Sequence, residues 1–349
     1  MAGAFRPVDG NRHSHVPPYR LALGPGPEPG RGRRTGGHRA WRVRALLPGV
    51  PVRHLGRQVG PGGHRRRFAR NRGRSVIMAD PLKGLSVLLV GCGKMGGAML
   101  LGWLGQGLAR ENVVVVDPGA GTSVPEGVRS VTPEEAAHLT PRPDLCVVAV
   151  KPQTIKTVLP AYAALAAQGT TFLSVAAGTT LAGLDQALGG NAAVVRAMPN
   201  TPAAIGRGMS VLVANDRVSD VARAAAEALM RAVGTVAWVE DEALIDAVTA
   251  VSGSGPAYVF LLVETLAEAG RAAGLPGDLA DLLARQTVTG AGALLDAMPD
   301  DPATLRRNVT SPGGTTAAAL DVLMAEDALA PLMRRAILAA QHRSRELAS

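Results

Sequence analysis

Gly91, Gly93 and Gly96 stand at the spacing G-x-G-x-x-G, after the apolar run Leu85 to Val90 and at the start of a helical pattern carrying Lys94 and Met95. Strand, tight turn and helix in that order suit a pyrophosphate. The first glycine turns the chain off the strand, the second lets backbone approach the phosphates, and the third lets helix and strand pack closely. Unpaired N–H groups and the positive end of the helix dipole would face the anion, with Cys92 inside the loop. A turn that merely needs small residues explains the same glycines. A second apolar run, Val113 to Val116, ends in Asp117. That is about twenty residues beyond the glycines, where a carboxylate can take the ribose hydroxyls of an adenosine. A negative charge there disfavours a ribose phosphate, and the nearest downstream arginine is Arg129, so the reading leans to NADH over NADPH.

Positioning these residues needs a sheet. From Leu85 short apolar runs alternate with helical segments, the signature of a parallel sheet covered on both faces. The runs are Leu85 to Val90, Val113 to Val116, Leu145 to Val150, Thr171 to Val175, Val194 to Arg196, Ser210 to Val213 and Thr235 to Val239. Ala149-Val150-Lys151-Pro152 and Val175-Ala176-Ala177-Gly178 close two of them, and ligands of such sheets lie outside the carboxyl ends of the strands. Ordinary strand-to-helix turns account for either loop taken singly. The stretch Arg196-Ala197-Met198-Pro199-Asn200-Thr201-Pro202 is structural or lines a cleft.

After Glu240 the apolar spacing becomes helical and stays so. Helices are expected over Glu242 to Val251, Pro256 to Ala273, Asp278 to Met298, Thr316 to Ala325 and Leu329 to Leu347. Two Gly- and Ser/Thr-rich breaks interrupt them, Ser252-Gly253-Ser254-Gly255-Pro256-Ala257-Tyr258 and Asn308-Val309-Thr310-Ser311-Pro312-Gly313-Gly314-Thr315-Thr316. Exposed N–H groups, hydroxyls and a helix N-terminus could hold a small carboxylate at either break without an arginine. Plain N-capping explains them equally. The abundance of Ala and Leu faces exceeds what one small bundle buries, which implies a dimer.

The formal charge of +9 is unevenly spread. Residues 1–77 hold 17 arginines against Asp9 and Glu28, a net of +15, leaving 20 basic and 26 acidic residues, a net of −6, for the remainder. That Arg/Gly/Pro-rich extension lacks apolar periodicity and is expected to be disordered. It reads as a nucleic-acid-binding arm, a targeting peptide or a dispensable stretch ahead of Met78. The last is favoured, because prolines and glycines forbid an amphipathic targeting helix and few aromatics are interleaved. Cys92 and Cys146 are the only cysteines, so no disulfide framework is implied and a reducing cytoplasm is the simplest compartment. No run of eighteen apolar residues argues for a membrane span.

Taken together, the glycine loop, Ala-Val-Lys-Pro, Met-Pro-Asn-Thr-Pro, Ser-Gly-Ser-Gly-Pro-Ala-Tyr and Val-Thr-Ser-Pro-Gly-Gly-Thr-Thr-Ala-Ala-Ala-Leu resemble pyrroline-5-carboxylate reductase over about Leu85 to Leu347. The resemblance implies an α/β Rossmann domain over 84–240, then an all-α domain over 241–349 that binds substrate and interlocks with a second subunit as a homodimer or ring of dimers. It also implies the last step of proline synthesis, hydride transfer from NADH or NADPH to the imine carbon of 1-pyrroline-5-carboxylate. Its cofactor positions fall on Gly91, Cys92, Gly93, Lys94, Met95, Gly96, Ala149, Val150, Lys151, Pro152, Val175, Ala176, Ala177 and Asn308. Its substrate positions fall on Glu242, Thr315 and Thr316, bordered by Ser252, Gly253 and Ser254 and by Gly313 and Gly314. Thr316 stands near the imine nitrogen as the catalytic hydroxyl, Glu242 anchors a water or the amine or only starts a helix, and no metal is implied.

Two departures bear on the nucleotide: Asp117-Pro118 replaces small hydroxyl or basic residues common in NADPH users, and no Asn occurs around Pro133 to Ala136. A hydroxy-acid reductase of the same build usually needs a Lys or His in the helical half, where this chain has no Lys and only His342. A nucleic-acid-associated redox sensor acting through the arginine extension is the remaining alternative.

Overall fold

The computed structural model describes residues 82–117 and 124–348. The extension 1–77, with the expectation of disorder placed on it, lies outside the described residues.

The first half is a doubly wound sheet. In chain order it runs β1 (Val87–Val90), α1 (Lys94–Gly105), β2 (Val113–Val116), β3 (Arg129–Ser130), α2 (Pro133–Ala137), β4 (Leu145–Val148), α3 (Ile155–Val158), α4 (Ala163–Ala167) and β5 (Thr171–Ser174). It continues with α5 (Leu181–Ala187), β6 (Ala193–Met198), β7 (Gly208–Ala214), α6 (Asp220–Arg231) and β8 (Gly234–Trp238). The strand order is β3-β2-β1-β4-β5-β6-β7-β8, parallel throughout except for the β6–β7 pair. All seven strands expected from the apolar runs are present. The added strand, β3, has two exposed residues and so no apolar run to betray it.

Strands β1 and β4 are buried at every position, as a sheet covered on both faces requires. Alternation divides each strand between two cores. Val87 and Leu89 join Met99, Leu100 and Trp103 of α1 and Leu229 and Met230 of α6 on one face. Leu88 and Val90 join Ile155, Leu159, Tyr162 and Leu165 on the other. Trp103 keeps its N–H satisfied in that core by donating to the Leu229 carbonyl at 2.9 Å.

The second half is helical: α7 (Leu244–Val248), α8 (Gly255–Ala272), α9 (Gly277–Ala297), α10 (Pro302–Asn308), α11 (Thr315–Leu323) and α12 (Leu329–Ala348). Helices α8 and α9 form a hairpin turned at Gly274, whose φ is +96°, with Ala267, Ala280 and Ala284 buried between them. The Ser252 to Tyr258 stretch, expected to break the helices, does not. It passes from α7 through a single π-turn, Thr249–Gly253, into α8. Pro256 lies in the first turn of α8, where a missing N–H costs no bond, and Met198 Cε lies where a Cβ on Gly253 would stand. Helix α10 was hidden in the sequence, although Asp301-Pro302 signals it: Asp301 caps the helix by accepting from the Thr304 N–H at 3.0 Å.

Candidate functional site

Parallel register brings the three expected cofactor loops to one edge of the sheet. Val90 pairs with Val116 and Val148, and Val148 with Ser174, so the residues that follow leave the sheet together. Backbone bonds hold the departure points: the Gly91 N–H to Val116 O at 2.8 Å, Ala149 N–H to Val90 O at 2.8 Å, and Val175 N–H to Val148 O at 3.0 Å.

Within the glycine loop each position has its own reason. Gly91 has φ +93°, and a Cβ there would stand 2.8 Å from Ala149 O. A Cβ on Gly96 would collide with the Gly91 carbonyl, which fixes how closely α1 meets β1. Gly93 has nothing within 4 Å of a Cβ and is exposed, as is Lys94, so this is where a ligand would approach backbone. Gly93 caps α1 without a side-chain bond, which leaves the N–H groups of the first turn available to an anion. These residues fit a dinucleotide pyrophosphate. Cys92 is buried; burial and the Asp117 carboxylate beside it push its thiol up, so it stays protonated at neutral pH.

Asp117 Oδ2 accepts from the Cys92 N–H at 3.3 Å, which sets the carboxylate beside the loop. A cavity of about 500 Å³ opens next to it, lined by Val116, Asp117, Ser130, Thr132, Glu134 and Glu135 among others, with no basic side chain among the described residues of the lining. The segment Pro133 to Ala136 therefore borders this cavity, and Glu135 is spent in a capping box with Thr132. A larger cavity of about 960 Å³ lies at the ends of β4 and β5 and includes Pro152, Ala177, Thr249 and Ser254.

Glu242 does not start a helix; α7 begins two residues later. Its Oε1 accepts from Arg196 at 2.7 Å and from the Leu181 N–H at 2.8 Å, joining β6, α5 and the entry to α7. Arg196, 4 % exposed, carried no role in the sequence reading, yet a lone charge within an apolar strand is a signal for a buried pair. Asn200 gives the Met-Pro-Asn loop a structural task. It donates to the Ser252 carbonyl and hydroxyl at 3.3 Å each and accepts from the Met209 N–H at 2.9 Å, pinning the π-turn to the sheet. Tyr258 adds a bond to the Ala250 carbonyl at 3.1 Å.

The remaining expected residues are not brought to this edge within one chain. Asn308 ends α10, and Gly313, Gly314, Thr315 and Thr316 lead into α11; neither helix has a buried residue, and none of these five lines either cavity. Gly314 caps α11 without a side chain, so the alternative of plain Ser/Thr capping fails there, as it does at Ser254 before α8. Among the described residues no group of three or more His, Cys, Asp and Glu could hold a metal.

Residues 242–347 match the family described as pyrroline-5-carboxylate reductase dimerisation, and residues 86–178 match the one described as NADP oxidoreductase, coenzyme F420-dependent. Pyrroline-5-carboxylate reductase of Pseudomonas aeruginosa is 40 % identical over 264 residues, 75 % of this chain and 96 % of that one. The Arabidopsis thaliana reductase is 36 % identical over 276 residues, 78 % and 98 % of the two chains. The solved structure of the Coxiella burnetii reductase superposes with a TM-score of 0.71 at 34 % identity, covering 76 % of this chain and 99 % of that one. That of Plasmodium falciparum, with NADP bound, gives 0.65 at 28 %, covering 76 % and 99 %. Matched over 242–347 by that family's dimerisation model and 40 % identical to a reductase of which it covers 96 %, the chain belongs to the pyrroline-5-carboxylate reductase family.

Proposed function

We propose that this reductase makes proline in a cleft assembled from two copies of the chain. One copy supplies the sheet edge over 84–240; the other supplies Gly313 to Thr316 at the start of α11, within its helical half over 241–349. The observation that carries the reading is the convergence of the loops at Gly91, Ala149 and Val175 on uncapped N–H groups at α1. A nicotinamide nucleotide, when bound, supplies the hydride. The chain's part is to orient and to exclude water, because a cyclic imine is already electrophilic and needs little more than alignment and a donor at its nitrogen. The Thr316 hydroxyl donates to the ring nitrogen. The free N–H groups at the start of α11 and the Thr315 hydroxyl take the carboxylate. Ser252, Gly253 and Ser254 shape the wall through the π-turn, and Glu242, held by Arg196, fixes where that wall meets the sheet. Asn308, ending α10, comes in from the second copy on the nucleotide side.

Asp117 supports NADH as the preferred nucleotide. Its carboxylate, with Glu134 and Glu135 around the same cavity, meets a ribose phosphate with like charge, and the sequence from Pro118 to Val128 carries no Lys or Arg to offset it. Two buried free thiols, Cys92 and Cys146, suit the cytoplasm.

Initial rates with 1-pyrroline-5-carboxylate, NADH and NADPH, beside a Thr316→Ala variant, test the whole. Consumption that favours NADH by about tenfold or more in kcat/KM, and a loss of about 10²-fold in kcat in the variant, are expected. No consumption with either nucleotide from folded protein overturns the substrate; full activity in the variant overturns the role of Thr316.

A further inference from the structure

The carboxyl end of α12 reaches the loops after β4 and β5. Ala340, Arg343, Ser344 and Leu347 line the cavity of about 960 Å³ opposite Pro152 and Ala177 to Thr180, the loops after β4 and β5. The approach is close: a Cβ on Gly178 would stand 3.1 Å from the Leu347 carbonyl oxygen, and Gly178 has φ +73°. Two contacts to one carboxylate fasten this end. Ser344, 7 % exposed, donates from its hydroxyl to Asp246 Oδ1 on α7 at 2.7 Å, while Arg345 Nε stands 3.9 Å from Asp246 Oδ2. Asp246 lies four residues after Glu242, which Arg196 and the Leu181 N–H hold against the sheet. A continuous path of bonded groups therefore runs from β6 through α7 to the last turns of α12. Arg343, which lines the cavity, pairs with Glu346 at 2.7 Å.

We infer that the end of α12 is a wall of the nicotinamide end of the cleft, with Ser344 and Asp246 as positioning residues that latch it over Gly178. The inference rests on the reading of this edge as the nucleotide site. A buried hydroxyl donating to a carboxylate is a strong tether, and among the described residues it is the one hydrogen bond given between side chains of α12 and α7, with the longer Arg345 ion pair on the same carboxylate. Releasing it leaves the helix in place through its apolar contacts but lets its last turns lift from the β5 loop. The nicotinamide end then admits water, and the ring is held less closely.

The test uses the full chain with Ser344→Ala, Ser344→Thr, Asp246→Ala and Asp246→Asn. Each is measured for NADH binding by titration calorimetry without substrate, for kcat and both KM values, for melting temperature and for oligomer mass. Ser344→Ala and Asp246→Ala are expected to raise the NADH dissociation constant by about fivefold and lower kcat, with the KM for 1-pyrroline-5-carboxylate within about twofold and oligomer mass unchanged. The double variant should be no worse than Asp246→Ala, which already removes both the Ser344 hydrogen bond and the Arg345 contact. Ser344→Thr and Asp246→Asn keep a donor and an acceptor and should restore the binding. A lowered melting temperature with unchanged NADH affinity and kcat would mean the bond only stabilises the fold, and overturns the inference; so does a fall in affinity that Ser344→Thr fails to rescue. If the unsubstituted chain binds NADH but reduces nothing, the proposed reaction falls, and the dissociation constants of the four variants still decide the role of the latch.

Discussion

Removing the Glu242 carboxylate would strand a charge that water cannot reach. Arg196 is 4 % exposed within an otherwise apolar strand, and its guanidinium donates to Glu242 Oε1 at 2.7 Å. Glu242→Ala should lower the unfolding free energy by about 2–4 kcal/mol, read as a shifted denaturant midpoint at unchanged slope. Arg196→Met takes away the buried charge and leaves a carboxylate at 28 % side-chain exposure, so it should cost less; the opposite ranking would show that the pair matters through Glu242 alone. Glu227 is a different case. Hydrogen bonds from Trp238 Nε1 at 2.8 Å and Arg231 Nε at 2.7 Å hold its carboxyl below the usual range. A folded pKa below the unfolded one contributes stability above about pH 4.3 that fades as pH falls through the lower folded value. Melting temperature against pH should therefore lose part of its acid limb in Glu227→Gln and keep its slope between pH 6 and 8. An unchanged acid limb would assign that limb to other carboxylates.

The glycine loop holds two kinds of glycine under one spacing, and substitution should separate them. Gly96 faces the Gly91 carbonyl across the α1–β1 contact, while Gly93 faces open space. Gly96→Ala is expected to lower the melting temperature and dinucleotide affinity together. Gly93→Ala should keep the melting temperature within about 2 °C and weaken affinity alone, since its new methyl meets only an incoming ligand. Equal thermal losses would mean that both serve the fold. Such elements were legible because central parallel strands are unbroken apolar runs, Val87 to Val90 and Leu145 to Val148 being buried at every position. The π-turn at Thr249–Gly253 was not, because Ser-Gly-Ser-Gly-Pro has the composition of a break and only its partners, Asn200 and Tyr258, keep it helical. Arg196 escaped for the same reason: its partner lies 46 residues away, beyond the reach of local pattern.

At the scale of the molecule, the helical half is unfinished as a single chain. Phe260 is 61 % exposed, Leu282 56 % and Val322 72 %, all inside the region matched as a dimerisation domain. The helix spanning Leu244–Ala272 is long and apolar enough to cross a membrane by length and composition, yet the matched region gives its face a protein partner instead. Covering such side chains is worth about 1.5–3 kcal/mol each, ample for a stable pair. In the proposed cleft, pairing also joins Thr316 to the glycine loop, a relation that no single-chain pattern expresses. If one copy lends its α11 to the other's sheet edge, two inactive variants should repair each other. Gly93→Asp sets a carboxylate where the pyrophosphate goes; Thr316→Ala removes the donor. Unfolded together and refolded, they form mixed dimers in which one site pairs an intact loop with an intact threonine and the other has neither. Random pairing makes half the dimers mixed, so about a quarter of the unsubstituted activity should return. Recovery of that size requires Thr316 to act across the interface. Activity no higher than the sum of the two parents would place loop and threonine in the same chain's site, and α11 would then have to fold back onto its own sheet when the second copy docks.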